Sequence, residues 1–198
     1  EAIPQVVHSK KRQVLELTSL EFSVLIGSML GDGYITKRGR IQIEQSDHQE
    51  EYLRWKYLLL KRIVSTSILT AIRKRTSGTI TRSYRFWTKQ YFHSWRELFY
   101  PDGVKTIPAK VVYAISPLAL AVWFMDDGFL RKHNAIAIAT DKFSEAALQE
   151  IIIGLQKSYS IQTTLVKRGR LYFGVEATRK FVRVVSPHII PAMRYKLP

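Results

Sequence analysis

Hydrophobic positions fall into two matching series, each opening on an apolar run that stops at an acid followed by glycine. In the first, Thr18 with Glu21 three residues on forms a capping-box signature, and the run over 22–30 meets Gly31-Asp32-Gly33. In the second, Ser116 stands at the cap position with Pro117 at the first helical position, and the run over 118–125 meets Asp126-Asp127-Gly128. Both runs predict helices. The two Asp-Gly pairs, at 32 and 127, stand 95 residues apart.

The same offset carries through the remainder of each series. Residues 34–45 predict a hairpin turning near Lys37-Arg38-Gly39, with Ile41 and Ile43 alternating against Arg40, Gln42 and Glu44. Its mate over 129–140 turns near 131–134, with Ile136 and Ile138 alternating against Ala135, Ala137 and Ala139. An amphipathic helix comes after each hairpin, over 48–64 and 144–159, and then a second strand pair. The paired strands are expected at 68–75 with 79–87, and at 163–167 with 171–176; last helices are expected at 90–100 and 178–190. The fold class read from this is α+β: an αββαββα unit, twice, with pseudo-twofold symmetry. Residues 1–17 form an N-terminal extension, 18–104 the first half, 105–115 a linker and 116–198 the second half. A join this short implies halves that pack against each other.

Charge narrows the partner. The 198 residues carry 31 Lys and Arg against 16 Asp and Glu, a net charge of +15, which favours a polyanion. Cysteine is absent, which excludes disulfides, thiolate zinc sites and cysteine nucleophiles, and agrees with an intracellular location, organelle or prokaryotic cytoplasm alike. The most apolar stretch, 113–125, is too short to span a bilayer, so no membrane partner is expected. The first eleven residues carry charges and a proline rather than an apolar signal core, and the chain opens on Glu rather than Met, which leaves room for a longer natural N-terminus.

The alternation turns the isoleucines inward and sets a polar row outward. In the first half that row is Arg40, Gln42 and Glu44, joined by Arg73, Arg75, Arg82, Tyr84 and Arg85, with Lys37 and Arg38 at the hairpin turn. In the second it includes Lys167, Arg168, Arg170 and Tyr172, with Arg131, Lys132, His133 and Asn134 at the hairpin tip. Arg and Gln make bidentate contacts to guanine and adenine edges, and a strand ribbon fits the major groove. Ala135, Ala137 and Ala139 stand where the first half has Arg40, Gln42 and Glu44, so recognition is expected to be uneven, with shape or thymine-methyl contact at the alanines.

Asp32 and Asp127 each end an apolar helix, where the dipole gives an acid no support. Brought together by packing those helices, they would repel; a divalent cation with hard oxygen ligands removes the conflict, and Mg²⁺ suits such a site. Gly27 and Gly31, four residues apart, allow a close helix approach; Val122 and Asp126 at the matching positions make it asymmetric. The five histidines show no ligand spacing.

The motif helices resemble those of the LAGLIDADG homing endonucleases. Leu25-Ile26-Gly27-Ser28-Met29-Leu30-Gly31-Asp32-Gly33 is the first motif and Leu120-Ala121-Val122-Trp123-Phe124-Met125-Asp126-Asp127-Gly128 the second. The likeness runs from about Thr18 to the end and is strongest to intron-encoded, single-chain, two-motif members, through Trp-Phe-Met-Asp-Asp-Gly at 123–128, Lys-Thr-Ile-Pro at 105–108 and Tyr-Lys-Leu-Pro at 195–198. The resemblance implies two halves joined through their motif helices at a pseudo-dyad, each with a saddle-like antiparallel sheet for double-stranded DNA, acting as a monomer. It implies that Asp32 and Asp127 hold metal, with the Gly31 and Asp126 backbone carbonyls nearby, and that Lys105, Lys196 and Gln45 serve the catalytic pocket. Thr140, the repeat mate of Gln45, departs from that pattern. The implied reaction is double-strand cleavage of a long, weakly symmetric site by hydrolysis with Mg²⁺; Mn²⁺ substitutes, and Ca²⁺ supports binding without cutting. The alternatives are an RNA maturase acting on host intron RNA and a nonenzymatic DNA-binding regulator on the same scaffold.

Overall fold

The computed structural model describes residues 3–167 and 169–198; Arg168, expected on the second strand face, lies outside the described residues. Helix α1 (Ser19–Leu30) begins at the capping box read from the sequence, with Thr18 and Glu21 bonded reciprocally. Its counterpart α4 (Pro117–Asp127) begins at Ser116, whose hydroxyl accepts from the Ala119 N–H. Both helices are apolar on nearly every face because both are central: α1 and α4 pack on one another, and the sheets and outer helices wrap around them.

Glycine sets how close that packing is. A Cβ on Gly27 would fall 2.6 Å from the Val122 Cβ, and one on Gly31 would fall 2.5 Å from the Asp126 Cβ. Neither distance is attainable, so the first helix approaches through its glycines and the second through Val122 and Asp126.

In the first half, β3 (Tyr34–Ile35) and β4 (Ile41–Ser46) lead to α2 (Glu50–Leu59), then β5 (Leu69–Lys74), β6 (Ile80–Trp87) and α3 (His93–Phe99), with sheet order β3-β4-β6-β5. The second half repeats this as β7 (Gly128–Leu130), β8 (Ile136–Ala139), α5 (Glu145–Tyr159), β9 (Thr164–Val166), β10 (Arg170–Phe173) and α6 (Val175–Val185), in order β7-β8-β10-β9. Every paired strand in both sheets is antiparallel. Several ranges differ from expectation: the helix expected over 48–64 has its α-helical part at Glu50–Leu59, and the one expected over 178–190 runs Val175–Val185. The strand expected through 176 stops at Phe173, because Gly174 takes the N-cap position of α6 and Glu176 falls in that helix's first turn, where an acid is favoured. The helix expected over 90–100 is confined to His93–Phe99.

The linker is itself folded. Residues Ala109–Ala114 form a 3₁₀ helix against α5, where Gly154 makes room for the Val112 side chain and the Tyr159 hydroxyl donates to the Ile115 carbonyl at 2.6 Å. The N-terminal extension is folded too, as a hairpin of β1 (Val6–His8) and β2 (Val14–Glu16). Among the described residues, no helix is long and apolar enough to cross a membrane.

Candidate active site and DNA interface

The ends of α1 and α4 bring the predicted acids together. Asp32 comes directly after the C-cap Gly31, and Asp127 closes α4. Between them sits Asp126, whose side chain is fully buried and occupies the space above Gly31. Its Oδ2 accepts from the Asp32 N–H at 3.3 Å, and its Oδ1 accepts from the Lys56 ammonium at 2.6 Å and the Gln45 amide at 3.0 Å. Gln45 also donates to Asp32 Oδ2 at 3.1 Å, so one buried amide holds a carboxylate from each motif.

Two lysines cap the motif helices. The Lys105 ammonium donates to the Gly31 and Gly33 carbonyls at 2.7 and 2.6 Å. Lys196 donates to the Met125 and Asp126 carbonyls at 2.5 and 3.0 Å. A cation at each helix C-terminus complements the dipole and satisfies carbonyls that the helix leaves open. Lys142 completes the ring, 3.2 Å from the Gly31 carbonyl and 3.5 Å from Asp127 Oδ2. The carbonyls of Gly31 and Asp126 thus point into the cluster, each already met by ammonium.

Burial is the largest influence on these groups. It raises the Asp127 carboxyl to about 6; Lys142 and Lys105 oppose the rise, and Asp32 and Asp126 add to it. Burial lowers the Lys105 ammonium to about 7; Lys142 lowers it further, while the three aspartates work against the fall. Burial also pushes the Asp126 carboxyl up, with Lys56 offsetting that push, and pushes Lys196 down. Asp127 Oδ2 is buried with no hydrogen-bond partner among the described residues. Crowded acids, one oxygen without a hydrogen bond and hard donors throughout suit a divalent cation. Among the described residues, no three His, Cys, Asp or Glu side chains form a closed ligand cage, so a cation here would complete its shell from carbonyls, water and substrate.

Two members of the cluster, Lys56 and Lys142, lie outside the sequence expectations. Lys56 is fully buried on α2, on the stripe with Tyr52, Leu53 and Leu60. A lysine on an apolar stripe was the available signal. Its ammonium lies 4.4 Å from the centroid of Tyr52, whose hydroxyl donates to the Val122 carbonyl at 3.0 Å. Lys142 had no comparable signal, since its repeat mate is Asp47. Thr140 is buried and donates to the Gly169 carbonyl at 2.5 Å.

The strand faces obey the pleat. On β4, Ile41, Ile43 and Gln45 are buried while Gln42 and Glu44 are half-buried on the outer side, next to Arg40. Register places Arg85 opposite Glu44, and Arg73 shares that row. Glu44 gathers the row: it accepts from Arg73, from Gln42 at 3.0 Å and from Ser83 at 2.5 Å, with Arg85 at 3.9 Å. Burial pushes the Glu44 carboxyl up, but Arg73, Ser83 and Arg85 together hold it below its usual range.

Arg82 and Tyr84 fall on the other parity of β6. They alternate with Ser83 and Arg85 and share the parity of the inward Phe86, yet Arg82, near the strand end, is exposed and lines one open cleft with Asp32, Gln42 and Glu44. Tyr84 packs at the core edge. Arg75 lies just beyond β5, exposed, with Lys37 and Arg38 exposed at the first turn. In the second half, Ala135 and Ala137 are only 1% exposed: Ala137 faces the outer side but lies covered between Phe129 and Tyr172, its partners in register. Tyr172 and Arg170 do lie on the outer side, the Arg170 guanidinium 5.5 Å from the Phe129 ring. Lys167 and the tip residues Arg131, Lys132, His133 and Asn134 are exposed. The Nε atoms of Arg40, Arg85 and Arg170 are buried without hydrogen-bond partners among the described residues.

Residues 22–181 match the family model described as the LAGLIDADG DNA endonuclease family. The DNA endonuclease I-ChuI of Chlamydomonas applanata is 30% identical over 212 residues, covering 92% of this chain and 96% of that protein. The cytochrome b mRNA maturase bI2 of Debaryomyces hansenii is 29% identical, covering 88% of this chain and 72% of the maturase. The chain spans about half the length of some other curated relatives that it matches. Among solved structures, the homing endonuclease I-WcaI bound to its DNA recognition sequence superposes with a TM-score of 0.83 at 25% identity, covering 96% of this chain and 90% of that one.

Proposed function

The chain belongs to the LAGLIDADG DNA endonuclease family and is a site-specific DNA endonuclease, and on that premise we propose that it makes a double-strand break by metal-dependent hydrolysis at the Asp32–Asp127 cluster. The observation that carries the reading is the buried Asp127 Oδ2, which has no hydrogen bond and only Lys142 at 3.5 Å, beside two further aspartates at the meeting of the motif helices.

Asp32 and Asp127 would hold Mg²⁺ through their carboxylates. Gly31 and Asp126 would contribute carbonyls only as their lysines yield them, and the Asp126 side chain is committed to Lys56 and Gln45. A bound Mg²⁺ polarises a phosphodiester and lowers the pKa of its water, and Mn²⁺ would substitute. Lys105 and Lys196, one at each motif helix, offset charge developing on the two scissile phosphates, where preorganised donors in a poorly hydrated site act strongly. Gln45 and Lys56 keep the carboxylates in place without touching DNA. Outside the cluster, the row of Arg40, Gln42, Glu44, Arg73 and Arg85 and the Arg170–Tyr172 row read the two half-sites, and the chain works as a monomer with its pseudo-dyad on that of the target.

The test is cleavage of a randomised duplex library in Mg²⁺, with Ca²⁺ as the binding control. One long consensus cut on both strands is expected. Selective retention in Ca²⁺ without cutting in Mg²⁺ would contradict hydrolysis and leave a DNA-binding regulator. Help to intron splicing is a second reading, favoured by the likeness to the bI2 maturase; it requires preference for folded intron RNA over duplex DNA.

A further inference from the structure

The residues ahead of α1 form a feature that the proposed reaction does not use. The hairpin of β1 and β2 is fastened to the first half at several points. The Trp95 indole donates to the Pro4 carbonyl at 2.9 Å and the Arg62 guanidinium to the Glu16 carbonyl at 2.8 Å, while the Leu17 N–H closes the extension on itself at the Gln5 carbonyl, 3.0 Å away. His8 also pairs with Phe92 in a parallel bridge. The turn is fixed as well: the Ser9 N–H donates to the Gln13 carbonyl at 2.9 Å, the Arg12 N–H to the Ser9 carbonyl at 2.9 Å, and the Gln13 N–H to Ser9 Oγ at 3.0 Å. Arg12 holds φ at 57°, a left-handed conformation that a non-glycine residue adopts only at a cost. Three consecutive cations, Lys10, Lys11 and Arg12, are thereby held exposed on an ordered tip instead of a loose tail.

That tip faces the sheet across an open cleft of about 510 Å³. Lys10 and Lys11 line one wall, and Arg40, Lys89 and Tyr91 line the other; no carboxylate lines it among the described residues. Arg40 joins the cleft to the outer strand row, and its Nε is buried without a partner. Four cationic side chains line this one cleft, Lys89 also donating to the Arg62 carbonyl at 2.9 Å, and without a carboxylate among its described lining the cleft suits an anion. The polyanion that already passes Arg40 on the proposed reading is the duplex itself.

We propose that this cleft grips the sugar-phosphate backbone of the DNA beyond the base-reading strands of the first half. The inference rests on the endonuclease reading. The grip adds affinity and footprint length on one flank and reads no sequence, since lysines on a turn meet phosphates rather than base edges. It is also one-sided: the segment preceding α4 is the 3₁₀ linker packed on α5, which offers no second hairpin.

The test uses the full chain with Lys10→Ala and Lys11→Ala together, both on exposed positions where folding is not at stake. Binding to a long mixed-sequence duplex is monitored in Ca²⁺ across a salt series. The slope of log affinity against log salt should become shallower by about 2, and affinity should fall by a similar factor on every sequence. A target recovered from the library is then trimmed stepwise on the first-half flank. Wild type should lose affinity at a step that leaves the variant unchanged. An unchanged slope with identical trimming curves would overturn the grip, as would a loss confined to one sequence. Wild type that neither binds nor cuts any duplex would overturn the endonuclease reading and the grip with it; wild type that binds and cuts beside an unchanged variant would overturn the grip alone.

Discussion

Lys56 puts a full charge where its helix otherwise presents Tyr52 and Leu53 to the interior. Its position in the repeat belongs to Ile151 in the second half, so the charge serves something other than the fold they share. Removing one partner of a buried pair leaves the other uncompensated. Lys56→Ile should therefore cost about 3–5 kcal/mol in urea denaturation, and adding Asp126→Asn should recover most of that loss. Two independent, additive losses would contradict the pairing. Asp127 offers the reverse signature. Its carboxyl, ordinarily near 3.8, lies at about 6 in the folded protein, so between those values the folded state binds more proton than the unfolded. Stability contributed by this group is present below about 4, falls as pH rises to 6 and stays low above it. Asp127→Asn should raise the melting temperature at pH 7 in chelator, and the gap should close below about pH 4. A variant less stable than wild type at pH 7 would refute this. Asp32, Asp127, Gln45, Lys105 and Lys196 were all legible in the sequence as candidates, by repeat register and motif likeness. Lys142 was not, because its contact with the Gly31 carbonyl depends on how the two halves close over each other.

At the scale of elements, glycine decides how the motif helices meet. Asp126 fills the space that a Gly31 side chain would need, and Val122 does the same at Gly27. Gly31→Ala should destabilise the protein by about 1–3 kcal/mol or more through overpacking, and should disturb the Asp126–Lys56 pair in the process. Unchanged stability would mean that the helices can part at little cost. The spacing of Gly27 and Gly31 made this approach readable in advance, as did both helix caps. The strand faces were readable wherever alternation was strict, as on β4. On β6 the polar residues Arg82, Tyr84 and Arg85 fall on both parities, so charge alone could not separate the faces; only pairing with β4 and β5 does. The second sheet was harder for a different reason: alanines give no sign of facing outward or lying under larger neighbours.

At the scale of the molecule, the two halves share a plan and differ in equipment. The first half has strands of six and eight residues at its sheet edge, the second of three and four. The first supplies Gln45 and Lys56 to the acids where the second has Thr140 and Ile151, and the second supplies Lys142 where the first has Asp47. Phosphates on opposite strands thus meet different surroundings, and the strands should be cut at different rates. A time course on supercoiled target should show a nicked intermediate that rises before linear product; linear product with no nicked species would contradict the asymmetry. The repeat itself was visible in the pattern of apolar runs, whereas the folded N-terminal hairpin was not, being too short for its alternation to stand out from its charges.

The central claim is that one acid from each motif helix serves a single metal-dependent site. The most direct measurement is Mg²⁺-driven cleavage of the library-selected target by Asp32→Asn and by Asp127→Asn, each beside its binding in Ca²⁺. Both variants should fail to make the double-strand break while keeping DNA affinity close to that of wild type. Double-strand cleavage surviving either substitution would contradict the account.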